Sequence, residues 1–268
     1  MKRLIIKLFL NISLALGSFG VGWSGDFQKG LEAYYKGDYA TALKEWTPLA
    51  EQGNVKAQYN LGLMYDMGKG VLQDYKEAVR WYQLAAEQGY SSAQHNLGLL
   101  YFNGQGISQD HQEAVKWITL SADQGEVESQ KNLGIIYRDG EVVPQDYQTA
   151  EKWFELAATQ GDITSQINIG VLYYNGQGVP QDFQTAIKWF TLAAEQGSLQ
   201  GQHNIAYMYY NGQGVKIDKI YAYIWASIAS SNGFENAKGL LEALNMDCLL
   251  YTSPSPRDVE ESRMPSSA

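Results

Sequence analysis

Tryptophan recurs in this chain at a constant spacing of 36 residues, beginning at Trp81. Its later copies are Trp117, Trp153, Trp189 and Trp225. Six glycines and six alanines follow the same spacing: Gly53, Gly89, Gly125, Gly161, Gly197 and Gly233, and Ala42, Ala78, Ala114, Ala150, Ala186 and Ala222. A fixed period of about 20–50 residues is typical of solenoids, whose units bury their apolar faces only against neighbours. The chain is therefore predicted to be a repeat array whose function lies on a stacked surface.

Each period contains two helical patterns separated by a turn. In the unit that starts near Ala57, the residues Ala57, Leu61 and Met64 form the apolar stripe of a first helix. Gly68 and Gly70 then interrupt the pattern, because glycine reaches backbone conformations closed to other residues and costs about 1 kcal/mol inside a helix. The unit is therefore predicted to be helix, turn, helix.

An aspartate marks the start of every second helix. The series is Asp74, Asp110, Asp146, Asp182 and Asp218. Aspartate at this place accepts hydrogen bonds from the free backbone N–H groups of the first turn. Glu77 and Glu113 follow their aspartates by three residues, which predicts a capping box in two units. Gly89 is the expected C-terminal cap.

Two further series are expected to fill the interior. Gly62 recurs inside the first helix as Gly98, Gly134 and Gly170, with Ala206 in the fifth unit. A repeated glycine inside a helix indicates that another helix passes close by, and the expected partner is the series that includes Ala78. The tryptophans are expected to fill the wider gaps, where truncation of a buried tryptophan to alanine costs about 3–5 kcal/mol. A role for the tryptophans as ligand platforms is the alternative.

The repeat resembles the Sel-1-like repeat, a relative of the tetratricopeptide repeat with a longer turn between its helices. The resemblance rests on Ala-Gln-Tyr-Asn-Leu-Gly-Leu-Met-Tyr at 57–65, the Gly-x-Gly turn, the aspartate, and Ala-Val-x-Trp-Tyr-x-x-Ala-Ala-Glu-Gln-Gly at 78–89. It covers about residues 26–246 and implies adaptor and protein-binding roles. The third turn departs from it, because Val142 replaces the second glycine. A β-branched residue is disfavoured in the left-handed conformation, so this turn is expected to take another path.

Both ends differ from the array. Residues 1–25 combine Lys2, Arg3 and Lys7 with an apolar run and small residues, which is typical of a secretory signal peptide. The alternative is an uncleaved membrane anchor, although the run is short for a span of about 20 residues. The predicted organisation is a signal peptide at 1–25, an N-terminal capping tetratricopeptide-like unit at 26–53, five repeats at 54–233, a truncated capping helix at 234–247 and a non-native disordered tail at 248–268. The tail resembles translated sequencing-adapter read-through, so the native C-terminus is expected to be missing.

Composition argues against several functions. The formal net charge is −9, and about −11 without the two ends, which disfavours nucleic acid and anionic membranes as partners. Cys248 is the single cysteine, so no disulfide framework is expected. The chain has no Ser-x-x-Lys or Gly-x-Ser-x-Gly motif, and its three histidines lack metal-ligand spacing. No catalytic residue, metal or cofactor is predicted.

One asparagine series gives the strongest indication of function. It comprises Asn60, Asn96, Asn132, Asn168 and Asn204. The resemblance implies that it matches the asparagine which, in tetratricopeptide domains, faces the concave groove and hydrogen-bonds the backbone of an extended peptide. Asparagine supplies both a donor and an acceptor for this task. A structural hydrogen bond to an adjacent turn is the alternative.

Aromatic residues and one cation share this helix face. They are Phe102, Tyr174, Tyr207, Tyr210 and Arg138. Tyrosine and asparagine are typical of recognition surfaces, where aromatic anchors supply much of the binding energy. The concave-face binding site is therefore predicted to combine these residues with the asparagine series.

The sequence thus predicts an all-α, right-handed α-solenoid with a 36-residue period. It is expected to be exported to the periplasm or the extracellular space and to bind an unidentified protein or peptide on its concave face. No catalysis and no stable membrane insertion after signal cleavage are expected. Two alternatives stand beside this prediction. One is weak β-lactamase or penicillin-binding activity, as in cysteine-rich relatives whose paired cysteines this chain lacks, and the other is an envelope scaffold that binds glycan.

Overall fold

The computed structural model describes residues 25–252, and this part of the chain is helical without any strand. The predicted signal peptide, apart from Gly25, and residues 253–268 of the predicted tail lie outside the described residues. The helices are α1 Phe27–Tyr35, α2 Tyr39–Glu51, α3 Val55–Met67, α4 Tyr75–Glu87, α5 Ser91–Asn103, α6 His111–Ala122, α7 Val127–Asp139, α8 Tyr147–Thr159, α9 Ile163–Asn175, α10 Phe183–Glu195, α11 Leu199–Asn211, α12 Lys219–Ser231 and α13 Glu235–Thr252. The predicted all-α solenoid is confirmed.

Consecutive helices pack in pairs, as the period requires. The first helices of the five repeats are α3, α5, α7, α9 and α11, and the second helices are α4, α6, α8, α10 and α12. The chain divides into two compact units at residues 121 and 122. One buried cluster of the first unit surrounds Trp46 and Leu61. In the second unit, Phe154 and Leu172 are at the centre of one cluster, and Phe190 is in the next.

The aspartates cap the second helices as predicted, but the prediction of a capping box is wrong. The Asp74 carboxylate accepts hydrogen bonds from the N–H groups of Lys76 and Glu77 at 2.9 and 3.2 Å. A capping box also requires the Asp74 N–H to donate to Glu77. That N–H instead donates to the Tyr65 carbonyl at 3.0 Å, and the Glu77 carboxylate accepts from Arg80 at 2.8 Å. The long turn brings the start of the second helix back to the first helix, which supplies the acceptor.

The turns use left-handed glycine, and the third turn differs as predicted. Gly68 and Gly70 have φ angles of 66° and 73°. In the third turn Gly140 has a φ angle of 71°, but none of the described non-glycine residues has a positive φ. Val142 therefore lies outside the left-handed region, and the third turn follows another backbone path.

The glycines inside the first helices face large side chains of the second helices, and the expected alanine series is also met at Gly98, where an added Cβ atom would lie 2.6 Å from Ile118 and 3.1 Å from the Ala114 carbonyl oxygen. A Cβ atom on Gly62 would lie 2.5 Å from the Tyr82 ring, and a Cβ atom on Gly134 would lie 2.5 Å from the Phe154 ring. At Gly62 the nearest atoms all belong to Tyr82, so the prediction of Ala78 as the partner is wrong there. In these two repeats a ring of the second helix lies so close to the backbone of the first helix that an added Cβ atom would have no room.

In the fifth repeat, two small residues occupy the positions of the glycine and the large side chain. Ala206 replaces the glycine, and Ala226 stands where earlier repeats have Tyr82 or Phe154. Both alanines are fully buried and belong to one cluster, together with Leu244 of α13. The exchange of glycine and ring for two alanines indicates that these positions are coupled.

The tryptophans lie nearer the surface than expected. Trp81 is only 4% exposed, but the four later copies are half-buried. The fully buried ring occupies the next position, as Phe154 does in the third repeat. Trp189 packs against the cluster of the preceding repeat that contains Phe154. The tryptophans therefore cover the boundary between neighbouring repeats at the surface. The prediction that they are deeply buried is correct only for Trp81.

A buried glutamine series, which the sequence analysis overlooked, links neighbouring repeats. Gln166 Nε2 donates to the Ala158 carbonyl at 3.2 Å, and Gln166 Oε1 accepts from Gln196 Nε2 at 2.9 Å. Gln58 and Gln130 make the same pair of bonds. In the last repeat the Gln202 amide lies 3.5 Å from its carbonyl, and its Oε1 has no partner within residues 25–252. These glutamines recur every 36 residues, and this recurrence could have identified them from the sequence.

This series gives a matched test of stability. We expect Gln166→Ala to lower the free energy of unfolding by about 1–3 kcal/mol, because the Ala158 carbonyl and the Gln196 amide lose a buried partner. Gln202→Ala removes the same side chain but a weaker set of bonds, so its effect should be smaller. Urea unfolding followed by circular dichroism measures both. Equal losses in the two variants would contradict the assigned role of the hydrogen bonds.

Candidate binding site on the first helices

The predicted asparagine occupies the same place on all five first helices and is half-buried in each. The surroundings of these asparagines differ from repeat to repeat. Among the described residues, the side chains of Asn60, Asn132 and Asn204 have no hydrogen-bond partner, whereas those of Asn96 and Asn168 have one or more. The series is therefore not a uniform row of free amides.

Asn168 is engaged within the protein. Its Oδ1 accepts a hydrogen bond from Arg138 Nη1, and its Nδ2 donates to the Thr164 carbonyl at 2.9 Å. Arg138 Nε also donates to Asp139 Oδ1 at 2.7 Å. The structure thus brings together two predicted site residues, Arg138 and Asn168, from neighbouring first helices. At Asn168 the structural hydrogen bond that the sequence left as an alternative is present.

Asn96 also has a structural partner. It hydrogen-bonds the hydroxyl of Tyr82, which itself donates to Asp66 Oδ2 at 3.1 Å. Burial raises the pKa of the Tyr82 hydroxyl, and the nearby Asp66 carboxylate raises it further. Burial also raises the pKa of Asp66. The Tyr82 hydroxyl therefore stays protonated. Through Asp66 and Asn96, Tyr82 connects its own second helix to the first helices on either side of it.

Asn204 lies at a cavity in the second compact unit. The cavity has a volume of about 300 Å³ and is bordered by α9, α10 and α11. Its lining residues are Val171, Tyr174, Asn175, Phe190, His203, Asn204, Tyr207 and Met208. Three predicted site residues, Tyr174, Asn204 and Tyr207, therefore meet at one cavity.

The cavity has an apolar part and a neutral polar part. Val171, Phe190 and Met208 supply the apolar surface, and none of the lining residues is an Asp, Glu, Lys or Arg. Tyr174 is fixed at the cavity, because its hydroxyl donates to Gln213 Oε1 at 3.0 Å. Tyr207 is 44% exposed. Such a lining suits a ligand that is mainly apolar and carries no charge.

His203 is a cavity residue that the sequence analysis did not select. Its ring centroid lies 5.4 Å from that of Phe234 and 6.5 Å from that of Tyr207. Burial lowers the pKa of His203, so its imidazole is neutral at pH 7. Its Nδ1 is buried without a hydrogen-bond partner in the described part of the chain. Only its position directly before Asn204 could have indicated from the sequence that His203 belongs to the site.

Two predicted site residues lie away from this cavity. The Phe102 ring packs edge-on against His111, with ring centroids 5.0 Å apart. Tyr210 packs against the cluster formed by Ala206, Ala226 and Leu240. Both side chains contribute to local packing, so the structure does not join all the predicted aromatic residues in one site.

A second apolar surface was also overlooked. On α12, Ile220 is 77% exposed and Ile224 is 48% exposed. The equivalent residues of α4 are Lys76 and Arg80. Ile228, one helical turn further, is 37% exposed. At Ile220 and Ile224 the outer face of α12 is therefore apolar where α4 is charged.

No helix within residues 25–252 combines the length and the apolar character needed to cross a membrane.

The chain matches one family model, and the solved structures similar to it include a bacterial antigen and a bacterial repeat protein. The Sel1 repeat model matches residues 55–90, 91–126, 127–162, 163–198 and 199–234. A protective antigen of uropathogenic Escherichia coli strains, which has an SLR fold, is 35% identical with a TM-score of 0.79 over 88% of this chain and 52% of that one. A Sel1 repeat protein from Oxalobacter formigenes is 31% identical with a TM-score of 0.79 over 89% of this chain and 99% of that one. The chain thus spans about half the length of the E. coli antigen. A search of curated proteins gives no match.

Proposed function

The chain belongs to the Sel1 repeat family, whose members are generally protein-interaction scaffolds, and we propose that it binds an extended segment of a partner protein on its first helices. The proposed binding surface consists of the outward side chains of α7, α9 and α11. The observation that carries the proposal is the cavity at which Tyr174, Asn204 and Tyr207 meet.

The chemistry of this surface supports a peptide ligand. The Asn204 amide has a donor and an acceptor, which are the two groups needed to hydrogen-bond a peptide backbone. Tyr174 and Tyr207 add aromatic contact area with little loss of side-chain entropy. Arg138 and Asn168 hold each other in place on the two preceding first helices and define the continuation of the surface.

The test compares first-helix and second-helix variants of the full chain. A partner is captured from bacterial envelope extract, identified by mass spectrometry and measured by titration calorimetry. Asn204→Ala with Tyr207→Ala should weaken its binding by more than about 2 kcal/mol, because a backbone-binding amide and an aromatic anchor are lost together. The control is Lys152→Glu with Lys188→Glu on exposed faces of the second helices, where scattered charges contribute only about 0.2–1 kcal/mol. Binding that is lost in the control and kept in the first-helix variant would refute the proposal.

Export to the periplasm or the extracellular space is part of the proposal. The positive charges at Lys2, Arg3 and Lys7, followed by an apolar run, favour secretion. We expect the mature protein to begin between Trp23 and Phe27, ahead of α1. N-terminal sequencing of protein expressed from the full reading frame measures this, and an intact Met1 in the cytosolic fraction would contradict it.

A further inference from the structure

We propose that the outer face of α12 is an interface through which two copies of this chain associate. This surface, the α12 patch, consists of Ile217, Ile220, Tyr221, Tyr223, Ile224 and Ile228. It lies on a second helix and on the turn before it, whereas the proposed peptide-binding surface lies on first helices. The inference therefore concerns a separate surface and does not rest on the proposed function.

Exposed apolar side chains are concentrated in this patch. Fourteen large apolar side chains are exposed within the described part of the chain, and six of them belong to the α12 patch. Single exposed apolar residues are normal on a soluble protein, but a contiguous group of them marks an interaction surface. The α12 patch therefore differs from the isolated exposed leucines of the earlier second helices.

The helix α12 is apolar on two faces. Ala222, Ala226 and Ala229 form its inner face and are fully buried. On the outer face, Ile220, Ile224 and Ile228 follow one another at intervals of four residues and so form one stripe. A surface helix normally has a single apolar stripe towards the core and polar residues opposite, whereas a helix that is apolar all round is covered on all sides. We therefore expect a further protein surface to cover the outer stripe.

The patch also lacks the charges of the other repeats. Residues 220–234 contain no Asp, Glu, Lys or Arg, although each of the four equivalent segments, which begin at residues 76, 112, 148 and 184, contains at least two. Ile224 takes the place of a cation that all the earlier repeats have, as Arg80, Lys116, Lys152 and Lys188. The apolar character is thus specific to the last of the five repeats.

The charge of the chain favours a second copy over a partner that is attracted by charge. The formal net charge is −9, so two copies repel each other over most of their surfaces. At the α12 patch they can meet without placing carboxylates opposite one another. A basic partner would instead be attracted to the acidic surfaces and would gain nothing from an uncharged patch.

The arrangement of the stripe suits pairing with itself. Ile224 is at the centre, one helical turn from Ile220 on one side and from Ile228 on the other. A twofold axis near Ile224 places Ile220 of each copy against Ile228 of the other, so apolar side chains face each other along the whole stripe. Such an association needs no second surface and closes at two copies, and twofold dimers are the commonest oligomers.

The area of the patch is close to what a dimer needs. Its six side chains, exposed by between 37% and 77%, offer on the order of 600 Å² per copy, compared with about 800 Å² per partner in a standard interface. One aromatic residue of the patch is already held in position. The Tyr221 ring lies edge-on to Tyr209 with centroids 4.5 Å apart, and 6.1 Å from the Trp225 ring. Ordering of this side chain therefore costs little on association.

The first experiment measures the mass of the full chain in solution by analytical ultracentrifugation over a hundredfold range of protein concentration. We expect a reversible change from one copy to two. Ile220→Gln with Ile224→Lys restores the residue types that α10 has as Gln184 and Lys188, so the fold should be unaffected. This variant should raise the dissociation constant about tenfold or more, because apolar contacts are lost and two lysines meet at the axis. Leu156→Lys is the matched control, since Leu156 is 48% exposed, as Ile224 is, but lies on α8.

The second experiment locates the axis by cross-linking. In a chain that has Cys248→Ser, Ile224→Cys should form a disulfide-linked dimer on mild oxidation, because the two copies of this residue adjoin the axis. Leu156→Cys should give no such product. A chain that stays monomeric at every concentration, that forms aggregates without a defined stoichiometry, or whose dimer is unchanged in the Ile220 and Ile224 double variant would overturn the inference. Equal cross-linking at positions 156 and 224 would overturn it as well.

Discussion

Phe154→Ala is expected to lower the free energy of unfolding by about 3–5 kcal/mol, which is the usual cost of truncating a fully buried aromatic ring. Phe154 is 0% exposed and lies against the backbone of α7 at Gly134. The backbone cannot collapse into the space left behind, because α7 and α8 are held by the packing of the whole repeat. Urea unfolding followed by circular dichroism measures the loss.

The adjacent tryptophan is the matched control. Trp153→Ala removes a larger ring, but this ring is half-buried and lines a surface groove with Leu156. Its removal should cost about 1–2 kcal/mol, because much of its apolar area is in water already. This order reverses the ranking that the conspicuous tryptophan period suggests. A greater loss from Trp153→Ala than from Phe154→Ala would show that the assignment of the core positions is wrong.

Gly134→Ala is expected to destabilise the protein by about 1–3 kcal/mol, although alanine is the better helix former. The added Cβ would lie 2.5 Å from the Phe154 ring, which has no free space to move into. The double variant Gly134→Ala with Phe154→Ala should be more stable than Phe154→Ala alone, because the methyl group enters the vacated space. The fifth repeat already has this pair as Ala206 and Ala226.

A glycine without neighbours provides the control for this cycle. Gly239 lies within α13, and a Cβ there would meet no atom within 4 Å. Gly239→Ala should therefore stabilise the protein by up to about 1 kcal/mol through helix propensity alone. A double variant less stable than Phe154→Ala, or a destabilising Gly239→Ala, would contradict the proposed coupling between glycine and ring.

The sequence by itself determined the architecture. The 36-residue period, the apolar stripes, the glycine turns and the aspartate caps are local signals, and each acts through the backbone of its own segment. Asp74 caps α4 and Gly68 ends α3 because these residues need only their immediate neighbours. The different path at Val142 was predictable for the same reason.

Tertiary structure alone decided which residues meet. The ring that packs on Gly134, the carbonyl that receives the Asp74 N–H, and the depth of Trp153 all depend on how one helix is rotated against another. The same dependence separates the five asparagines, which are identical in sequence position. Asn168 is engaged because Arg138 lies on the neighbouring helix. One repeat later Tyr174 replaces Arg138 and bonds Gln213, so Asn204 is left free beside a cavity. A repeat period fixes the place of a side chain along its own helix, whereas its partners come from other repeats, where the sequence varies.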